Sequence, residues 1–324
     1  MNSQAPPSST SPAEKPIIAV CGATGFQGGS VANHLLRDGR FAVRAITRKP
    51  KCPRAQELAR AGATVVQADF DDLSSLCKAF EGCYGAFGMT DYYEAFEREA
   101  EQGINIVKAA KSAKLKHLIQ SVSVATNNPE VKVSQVHEYL KKSGVPYTGY
   151  MPTFYFGSIF LLEILAKCQG GDWEMKFPFP TDIPIPTSCP KDIGGYVLPA
   201  FTNPSEWVGR DMRVCNERMS LRRYAEIFAE VTGFNVKIHG ITREEFLTLE
   251  NDASYPLGAW AAFKLWLDEY DRGRDFASPE LAAQIYPGRQ TWRDFIIEYR
   301  EVTIPQPVAV AVEYHHIREQ FEHA

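Results

Sequence analysis

Residues 16–36 read PIIAVCGATGFQGGSVANHLL, and this stretch decides the class of fold that we predict. The apolar, β-branched run 17–21 is typical of a buried parallel strand. Glycines follow at Gly22, Gly25 and Gly28, and a helical pattern of apolar residues comes directly after them. Such a turn lets the backbone pass close to a pyrophosphate, and the free N–H groups of the helix can bind the phosphates. We therefore predict a dinucleotide-binding βα unit; a glycine-rich turn without a ligand is the alternative.

The alternation of strand and helix continues to residue 151. Further strands are predicted over 41–46, 64–68, 84–89, 115–121 and 147–151, and helices over 55–61, 73–80, 96–112 and 133–143. Strands that alternate with helices form βαβ units, and right-handed crossovers between them produce a doubly wound sheet. The predicted fold class is α/β, with a mainly parallel Rossmann-type sheet and a smaller, mostly helical C-terminal domain.

The pattern weakens after Thr153. The stretch 177–186 contains four prolines, which we expect to prevent central-strand pairing. Helices are predicted near 220–232, 242–250 and 257–271. The expected organisation is a disordered tail at 1–15, a nucleotide-binding domain at 16–153, a substrate or partner domain at 154–300 with a return to the sheet near 190–215, and a C-terminal tail at 301–324.

Composition and charge argue against several classes of protein. The 35 Lys and Arg residues against 39 Asp and Glu residues leave a net charge of −4, so we expect no direct binding to nucleic acid. No apolar run approaches the roughly 20 residues of a membrane span. The seven cysteines are scattered without a CxxC pair, no HxxxH pattern occurs, and the N-terminus does not resemble a secretory signal. These features favour a cytoplasmic protein that has no metal site, and a nuclear location is left open.

The end of the second predicted strand indicates which dinucleotide is bound. Residues 46–51 read ITRKPK and contain no carboxylate to hold a ribose 2′-hydroxyl. The planar, permanently charged guanidinium of Arg48 suits a 2′-phosphate, with Lys49 or Lys51 assisting. The cofactor predicted from this turn is NADP(H), and an ordinary solvated basic turn is the alternative.

The third predicted strand is followed by Asp69 and Phe70, which we predict as further cofactor contacts. A carboxylate at this place can accept a hydrogen bond from the adenine amino group. Capping of the next helix by Asp72 is an equally good use of the acidic residues here.

The chain resembles the NmrA-like family of atypical short-chain dehydrogenase/reductases. The residues that carry the resemblance are 22–31, Thr47-Arg48, 67–69, Thr90, 144–147, 151–156 and 191–194, and it extends from residue 16 to about residue 300. The resemblance implies an NADP(H)-binding domain and a smaller C-terminal domain that closes over the nicotinamide. The family contains reductases of small aromatic or polyketide-like compounds and also catalytically silent dinucleotide sensors. The predicted cofactor contacts are Gly22, Thr24, Gly25, Phe26, Gln27, Gly28, Arg48, Lys51, Asp69, Phe70, Thr90 and Tyr155.

Catalytic residues are harder to assign. Short-chain reductases use Tyr-x-x-x-Lys on a helix, but here Tyr139 is followed at the fourth position by Ser143. Some atypical reductases use a lone lysine near the start of this helix, and Lys132 lies one residue out of step with that position. Lys132 and Ser121, at the end of the fifth strand, are the predicted catalytic residues; an exposed loop lysine and a satisfied turn hydroxyl are the alternatives. We expect His137 to be a surface histidine.

Two functions compete. An NADPH-dependent reductase of a small organic substrate is favoured by aromatic residues that would suit a ligand pocket, namely Tyr155, Trp173, Phe177, Phe179, Trp260, Phe263 and Trp266. A redox sensor that regulates a partner protein such as a transcription factor is favoured by the missing Tyr-x-x-x-Lys pair. The intact glycine loop and Arg48 argue against a module that has lost its cofactor. We favour the oxidoreductase, and a homodimer is left open.

Overall fold

The computed structural model describes residues 14–95, 98–122, 134–168, 170–251 and 257–303. Lys132, most of the predicted N-terminal tail and residues 304–324 lie outside these ranges.

The described chain contains strands and helices in an order that begins with regular βα alternation. The strands are β1 (Ile17–Val20), β2 (Ala42–Thr47), β3 (Thr64–Gln67), β4 (Gly85–Gly88), β5 (His117–Ser121), β6 (Tyr147–Tyr150), β7 (Phe154–Tyr155), β8 (Leu165–Lys167), β9 (Trp173–Lys176), β10 (Pro184–Ser188), β11 (Arg210–Met212), β12 (Glu217–Ser220) and β13 (Val236–His239). The helices are α1 (Phe26–Asp38), α2 (Pro53–Arg60), α3 (Leu73–Phe80), α4 (Tyr92–Ala95), α5 (Glu99–Ser112), α6 (Ser134–Lys142), α7 (Ser158–Leu161), α8 (Ile193–Thr202), α9 (Pro204–Trp207), α10 (Leu221–Thr232), α11 (Arg243–Thr248), α12 (Leu257–Asp271), α13 (Pro279–Ile285) and α14 (Trp292–Thr303).

The central sheet has seven parallel strands in the order β11-β6-β5-β4-β1-β2-β3. The predicted doubly wound α/β fold is confirmed. The strand order reverses between β1 and β4, and ligands bind outside the carboxyl ends of the strands at such a switch point. The loop that follows β1 therefore lies where a dinucleotide would be expected.

Local sequence explains the elements that frame this crevice. The run of β1 is almost entirely buried, as a strand covered on both faces must be. Helix α1 ends at Gly39, whose φ of 77° is the left-handed geometry that stops a helix without steric cost. Helix α3 begins at Asp72, whose carboxylate accepts hydrogen bonds from the N–H groups of Ser74 and Ser75. Asp72 therefore has the capping role that the sequence suggested for it.

The second half of the chain adds strands that the sequence pattern did not reveal. β12, β10 and β7 form one three-stranded sheet, and β13, β9 and β8 form another. The helices of this half enclose an aromatic cluster in which the side chains contact one another, including Trp173, Phe177, Phe179, Trp260, Phe263 and Trp266. All six are buried, so they form a core and not the open pocket that their number suggested.

The expectation that prolines prevent central-strand pairing in 177–186 is wrong. β10 is the middle strand of its sheet and pairs antiparallel with β12 from Pro184 to Thr187. The carbonyl of Thr187 accepts from Asn216 N–H at 2.8 Å, so this residue and Ile185 turn their backbone groups toward β12. Pro184 and Pro186 alternate with them and face the other edge, where β7 pairs only beyond Pro186. The prolines therefore remove no N–H group that either neighbouring strand needs.

Candidate dinucleotide site

Two glycines of the loop are required by the fold itself. Gly22 has a φ of 59°, the left-handed region that glycine occupies without cost, and a Cβ there would lie 2.5 Å from Sδ of Met89. A Cβ on Gly28 would lie 2.3 Å from the carbonyl oxygen of Cys21 and 2.4 Å from that of Gly22. Gly22 makes the turn, and Gly28 lets α1 pack directly on the end of β1.

Gly25 differs from both. Its φ of −95° is open to any residue, and the nearest atom to an added Cβ is the carbonyl oxygen of Gly22 at an ordinary 3.4 Å. Gly25 is the N-cap of α1, where no side chain caps the helix and the first turn contains no acidic residue. Nothing in the described protein thus requires glycine here, whereas a pyrophosphate resting against the backbone would. The loop fits a phosphate group at this point.

The other loop residues have defined surroundings. Oγ1 of Thr24 lies 3.4 Å from Oγ1 of Thr47, which joins the loop to the end of β2. Oε1 of Gln27 is shielded from solvent and has no hydrogen-bond partner in the described part of the chain. Phe26 lies beneath the guanidinium of Arg54, at 5.8 Å from the ring centroid.

Arg54 is a cation at this site that sequence reasoning missed. Besides covering Phe26, it donates from Nη1 to the carbonyl oxygen of Thr24 at 3.1 Å. It belongs to the first turn of α2, three residues after Lys51, which is exposed. The signal available in the sequence was a further arginine just past the basic turn, but its approach to the glycine loop depends on the direction of α2.

Arg48 has a carboxylate partner that the sequence did not indicate. Its Nη2 atom lies 2.5 Å from Oε2 of Glu94 on α4, and both side chains are about half exposed, at 48% and 44%. This hydrogen bond raises the pKa of the guanidinium, and the carboxylates of Asp69 and Asp91 act in the same direction. Arg48 is therefore a charged group at the end of β2, as predicted, with several anions around it.

Helix α5 holds the loop that follows β3. Nδ2 of Asn105 donates to the carbonyl oxygen of Phe70 at 3.1 Å, and Nε2 of Gln102 donates to Asp71 at 3.0 Å. The carboxylate of Asp69 accepts from the N–H of Asp71 at 3.0 Å. Phe70 itself is partly buried against the core beneath the sheet. These hydrogen bonds fix the conformation of the loop that carries Asp69.

Thr90, just beyond β4, is positioned by a buried glutamate. Its Oγ1 donates to Oε1 of Glu99 at 2.9 Å, and Glu99 is only 7% exposed. Burial raises the pKa of Glu99 to about 7, against the opposing effect of the Thr90 hydrogen bond. Sequence reasoning did not single out Glu99, because a glutamate in the first turn of a helix is normally a solvated residue.

The predicted catalytic residues are placed only in part. Ser121 is half-buried at the carboxyl end of β5, on the edge of the sheet where the glycine loop also lies. Tyr139 is partly buried and packs against the core. Tyr155 on β7 is half-buried and packs against the core that surrounds α1 and α8.

His137 is not the surface residue that we expected. It is 3% exposed, and its Nε2 lies 2.8 Å from Oδ1 of Asp211. Asp211 belongs to β11, which pairs with β6 and so extends the sheet beneath α6. The sequence could not show this, because the two residues are 74 positions apart.

Two kinds of feature do not occur among the described residues. No group of three or more potential ligands that could hold a metal ion occurs within them. None of the helices that they form is long and apolar enough to cross a membrane.

Comparison with known sequences places this chain among related proteins. The profile of the NmrA-like family matches residues 14–296. The NmrA-like family domain-containing oxidoreductase himF of Aspergillus japonicus is 32% identical over 251 residues, which cover 67% of this chain and 73% of the relative. The corresponding oxidoreductase FrzB of Cladobotryum sp. is 32% identical over 248 residues, covering 67% and 74%.

Solved structures show the same fold. The negative transcriptional regulator NmrA in complex with NADP matches with a TM-score of 0.71 and 21% identity, over 90% of this chain and 96% of that one. Triphenylmethane reductase of Citrobacter sp. complexed with NADP(H) matches with a TM-score of 0.64 and 18% identity, over 88% and 99%. At such identities the likeness concerns the fold alone.

Proposed function

The chain belongs to the NmrA-like family, and from that premise we propose that it is an NADP(H)-binding oxidoreductase that reduces a small organic substrate. Relatives at about one-third identity are described as oxidoreductases, and solved proteins of the same fold were crystallised with NADP or NADP(H).

The observation that carries the proposal is the glycine at position 25, which the described fold does not require. Gly22 and Gly28 are explained by the fold, whereas no described residue requires a glycine at position 25, and a group that approaches the backbone from outside would require one. The N–H groups at the uncapped start of α1 favour an anionic group there. A dinucleotide pyrophosphate satisfies both requirements.

The remaining residues would hold the cofactor along the edge of the sheet. Arg48, Lys51 and Arg54 would bind the 2′-phosphate, Asp69 would accept from the adenine amino group, and Thr90 would contact the nicotinamide half. Held in this way, NADPH would supply the hydride for the reduction. Ser121, at the carboxyl end of β5, would donate a hydrogen bond to a substrate carbonyl and so orient it.

A small aromatic or secondary-metabolite substrate is the class that we favour. Phe154 and Tyr155 form β7, which three residues separate from the end of β6, and are only half-buried, so part of each ring is available to a ligand. Phe154 also contacts Phe177, Phe263 and Trp266, with centroids 5.7, 6.1 and 6.5 Å away. The aromatic core thus supports one side of a half-open apolar wall.

A non-catalytic redox sensor that regulates a partner protein is the second candidate. It is supported by the residues Tyr139 and Ser143, which do not form the catalytic pair of short-chain reductases. The regulator NmrA also shares the fold. A sensor would bind the dinucleotide without consuming it.

Two alanine variants test whether the loop binds a dinucleotide. Gly25→Ala should keep the melting temperature of the wild type and weaken NADP⁺ and NADPH about tenfold or more, because its Cβ blocks the pyrophosphate and touches little else. Gly28→Ala is the matched control and should lower stability, since its Cβ collides with two carbonyl groups. Calorimetric titration with NADP⁺, NADPH, NAD⁺ and NADH measures the binding.

Each function predicts a different result. Consumption of NADPH with a member of a panel of aromatic carbonyl compounds supports the reductase. Binding of oxidised dinucleotides alone, without turnover, favours the sensor. Normal dinucleotide binding by Gly25→Ala would show that the loop is not part of the binding site.

A further inference from the structure

The pair formed by Arg48 and Glu94 lies across the proposed dinucleotide crevice, and the following inference rests on the proposed function. Arg48 comes directly after β2, whereas Glu94 belongs to α4, which follows β4. In the sheet, β1 lies between β2 and β4, so the ends of these strands are roughly 10 Å apart. The bridge therefore passes above the end of β1, where the glycine loop begins.

A second bridge anchors the same stretch of chain further across. Arg98, just before α5, forms an ion pair with Asp71 in the loop after β3. Gln102 donates to the other oxygen of that carboxylate at 3.0 Å. The chain that leaves β4 is thus held to the β2–β3 side of the sheet by two ion pairs. The pair formed by Glu94 involves Arg48, the residue proposed to bind the 2′-phosphate.

Glu94 presents to Arg48 the same chemistry as a phosphate. A guanidinium binds carboxylates and phosphates through the same N–H groups, so the two anions compete for it. Both side chains of the bridge are about half exposed, and an exposed ion pair of this kind is weak enough to be replaced. A 2′-hydroxyl brings no charge and leaves the bridge in place.

We propose that Glu94 is a specificity-determining residue that competes with the 2′-phosphate of NADP(H) for Arg48. The competition lowers the affinity for NADP(H) and leaves that for NAD(H) unchanged. Glu94 therefore reduces the preference for NADP(H) over NAD(H) that Arg48 creates. Binding of the phosphorylated dinucleotide separates α4 from the end of β2, whereas binding of NAD(H) does not.

The test compares dinucleotide affinities of charge-matched variants. Glu94→Gln keeps the size of the side chain but removes the competing charge, and should tighten NADP⁺ about two- to fivefold with no change for NAD⁺. Glu101→Gln, an exposed glutamate on α5, removes the same charge away from Arg48 and should change neither affinity. In an Arg48→Ala background, Glu94→Gln should have no further effect on NADP⁺. Titration calorimetry at one fixed ionic strength measures all of these.

The possible failures are distinct. An unchanged or weaker affinity of Glu94→Gln for NADP⁺, with a wild type that binds NADP⁺, overturns the competition and leaves the proposed function intact. An equal gain for NADP⁺ and NAD⁺, or an equal gain in Glu101→Gln, also overturns it, because general electrostatics would then explain the effect. A wild type that binds neither dinucleotide overturns both the competition and the proposed function.

Discussion

Single side chains that the sequence pattern did not mark control the charges around the crevice. Glu94 neutralises Arg48, Arg54 covers the glycine loop, and Glu99 lies buried behind Thr90. None of the three belongs to a sequence motif, and the role of each follows from its contacts in the structure. Of these, Glu99 has the clearest consequence for stability, because a carboxylate that is cut off from water resists ionisation.

Glu99 should make the stability of the protein depend on pH. Burial raises its pKa to about 7, whereas an unfolded glutamate titrates near about 4.3. The folded state therefore holds the proton more tightly, and the stability that this contributes is present below the unfolded pKa and is lost as pH rises through 7. Relative to Glu99→Gln, the wild type should lose up to about 3 kcal/mol of unfolding free energy between pH 5 and pH 8.

Urea unfolding of both proteins across that pH range measures the difference. The exposed variant Glu101→Gln serves as the control and should follow the wild type at every pH. A constant difference between Glu99→Gln and the wild type would show that the carboxylate does not titrate in this window.

Among the elements, α6 is attached to the sheet in a way that its own sequence does not reveal. His137 faces inward and bonds to Asp211 on β11, so the helix that carries Tyr139 is anchored to the edge strand contributed by the second half of the chain. A Cβ on Gly149 would lie 2.4 Å from Oδ1 of Asp211, which leaves the carboxylate little room to move. The pair therefore sets where the start of α6 stands relative to the end of β5.

Removing the buried histidine should be far more costly than removing an exposed one. His137→Ala leaves Asp211 without its partner and should lower the unfolding free energy by about 2–4 kcal/mol. His239 also faces a carboxylate, that of Glu174 at 3.3 Å, but its side chain is half exposed. His239→Ala should cost less than about 1 kcal/mol, so similar losses in urea unfolding would contradict the assigned geometry.

At the scale of the whole molecule, the second half of the chain contributes a strand to the central sheet and a helix that packs on α1. β11 completes the central sheet, and α8 packs against α1, where a Cβ on Gly194 would lie 2.4 Å from the carbonyl oxygen of Ser30. Asp192, just before α8, joins three segments through one carboxylate. Its Oδ2 accepts from Nδ2 of Asn216 at 2.5 Å and from the N–H of Gln290 at 2.7 Å. One buried polar junction thus ties the start of α8 to two later segments of the chain.

A second carboxylate at this junction should disrupt the molecule in a pH-dependent way. Asn216 is 1% exposed, and burial already raises the pKa of Asp192. Asn216→Asp would place two buried acids side by side and should cost about 3 kcal/mol or more at pH 7, and less at pH 5, where one of them can stay protonated. Asn33→Asp, on the exposed face of α1, adds the same charge without a buried neighbour. Thermal unfolding at both pH values measures the loss, and equal losses for the two variants would contradict the role of Asp192.

The regular half of the fold could be predicted from the sequence. Continuous apolar runs, glycine-rich turns and helical periodicity are local signals, so the predicted bounds of β1 to β6, α2, α3, α5 and α6 agree with the structure within a few residues, whereas α4 is not predicted. The long helix predicted over 96–112 instead begins at Glu99, after the separate short helix α4. In the second half the strands are short and β10 contains two prolines, so no period of two residues is visible there.

The sequence by itself determined the doubly wound sheet, the glycine loop and the basic turn at Arg48, because each is encoded by neighbouring residues. Only the tertiary structure decided which groups meet at the site: Glu94 against Arg48, Arg54 over Phe26, Glu99 behind Thr90 and His137 against Asp211. It also decided that the aromatic residues of the second half pack together as a buried core. The physical reason is that a local pattern specifies which way a side chain faces along its own element. The partner it meets depends on strand order and helix packing, which bring together residues far apart in the chain.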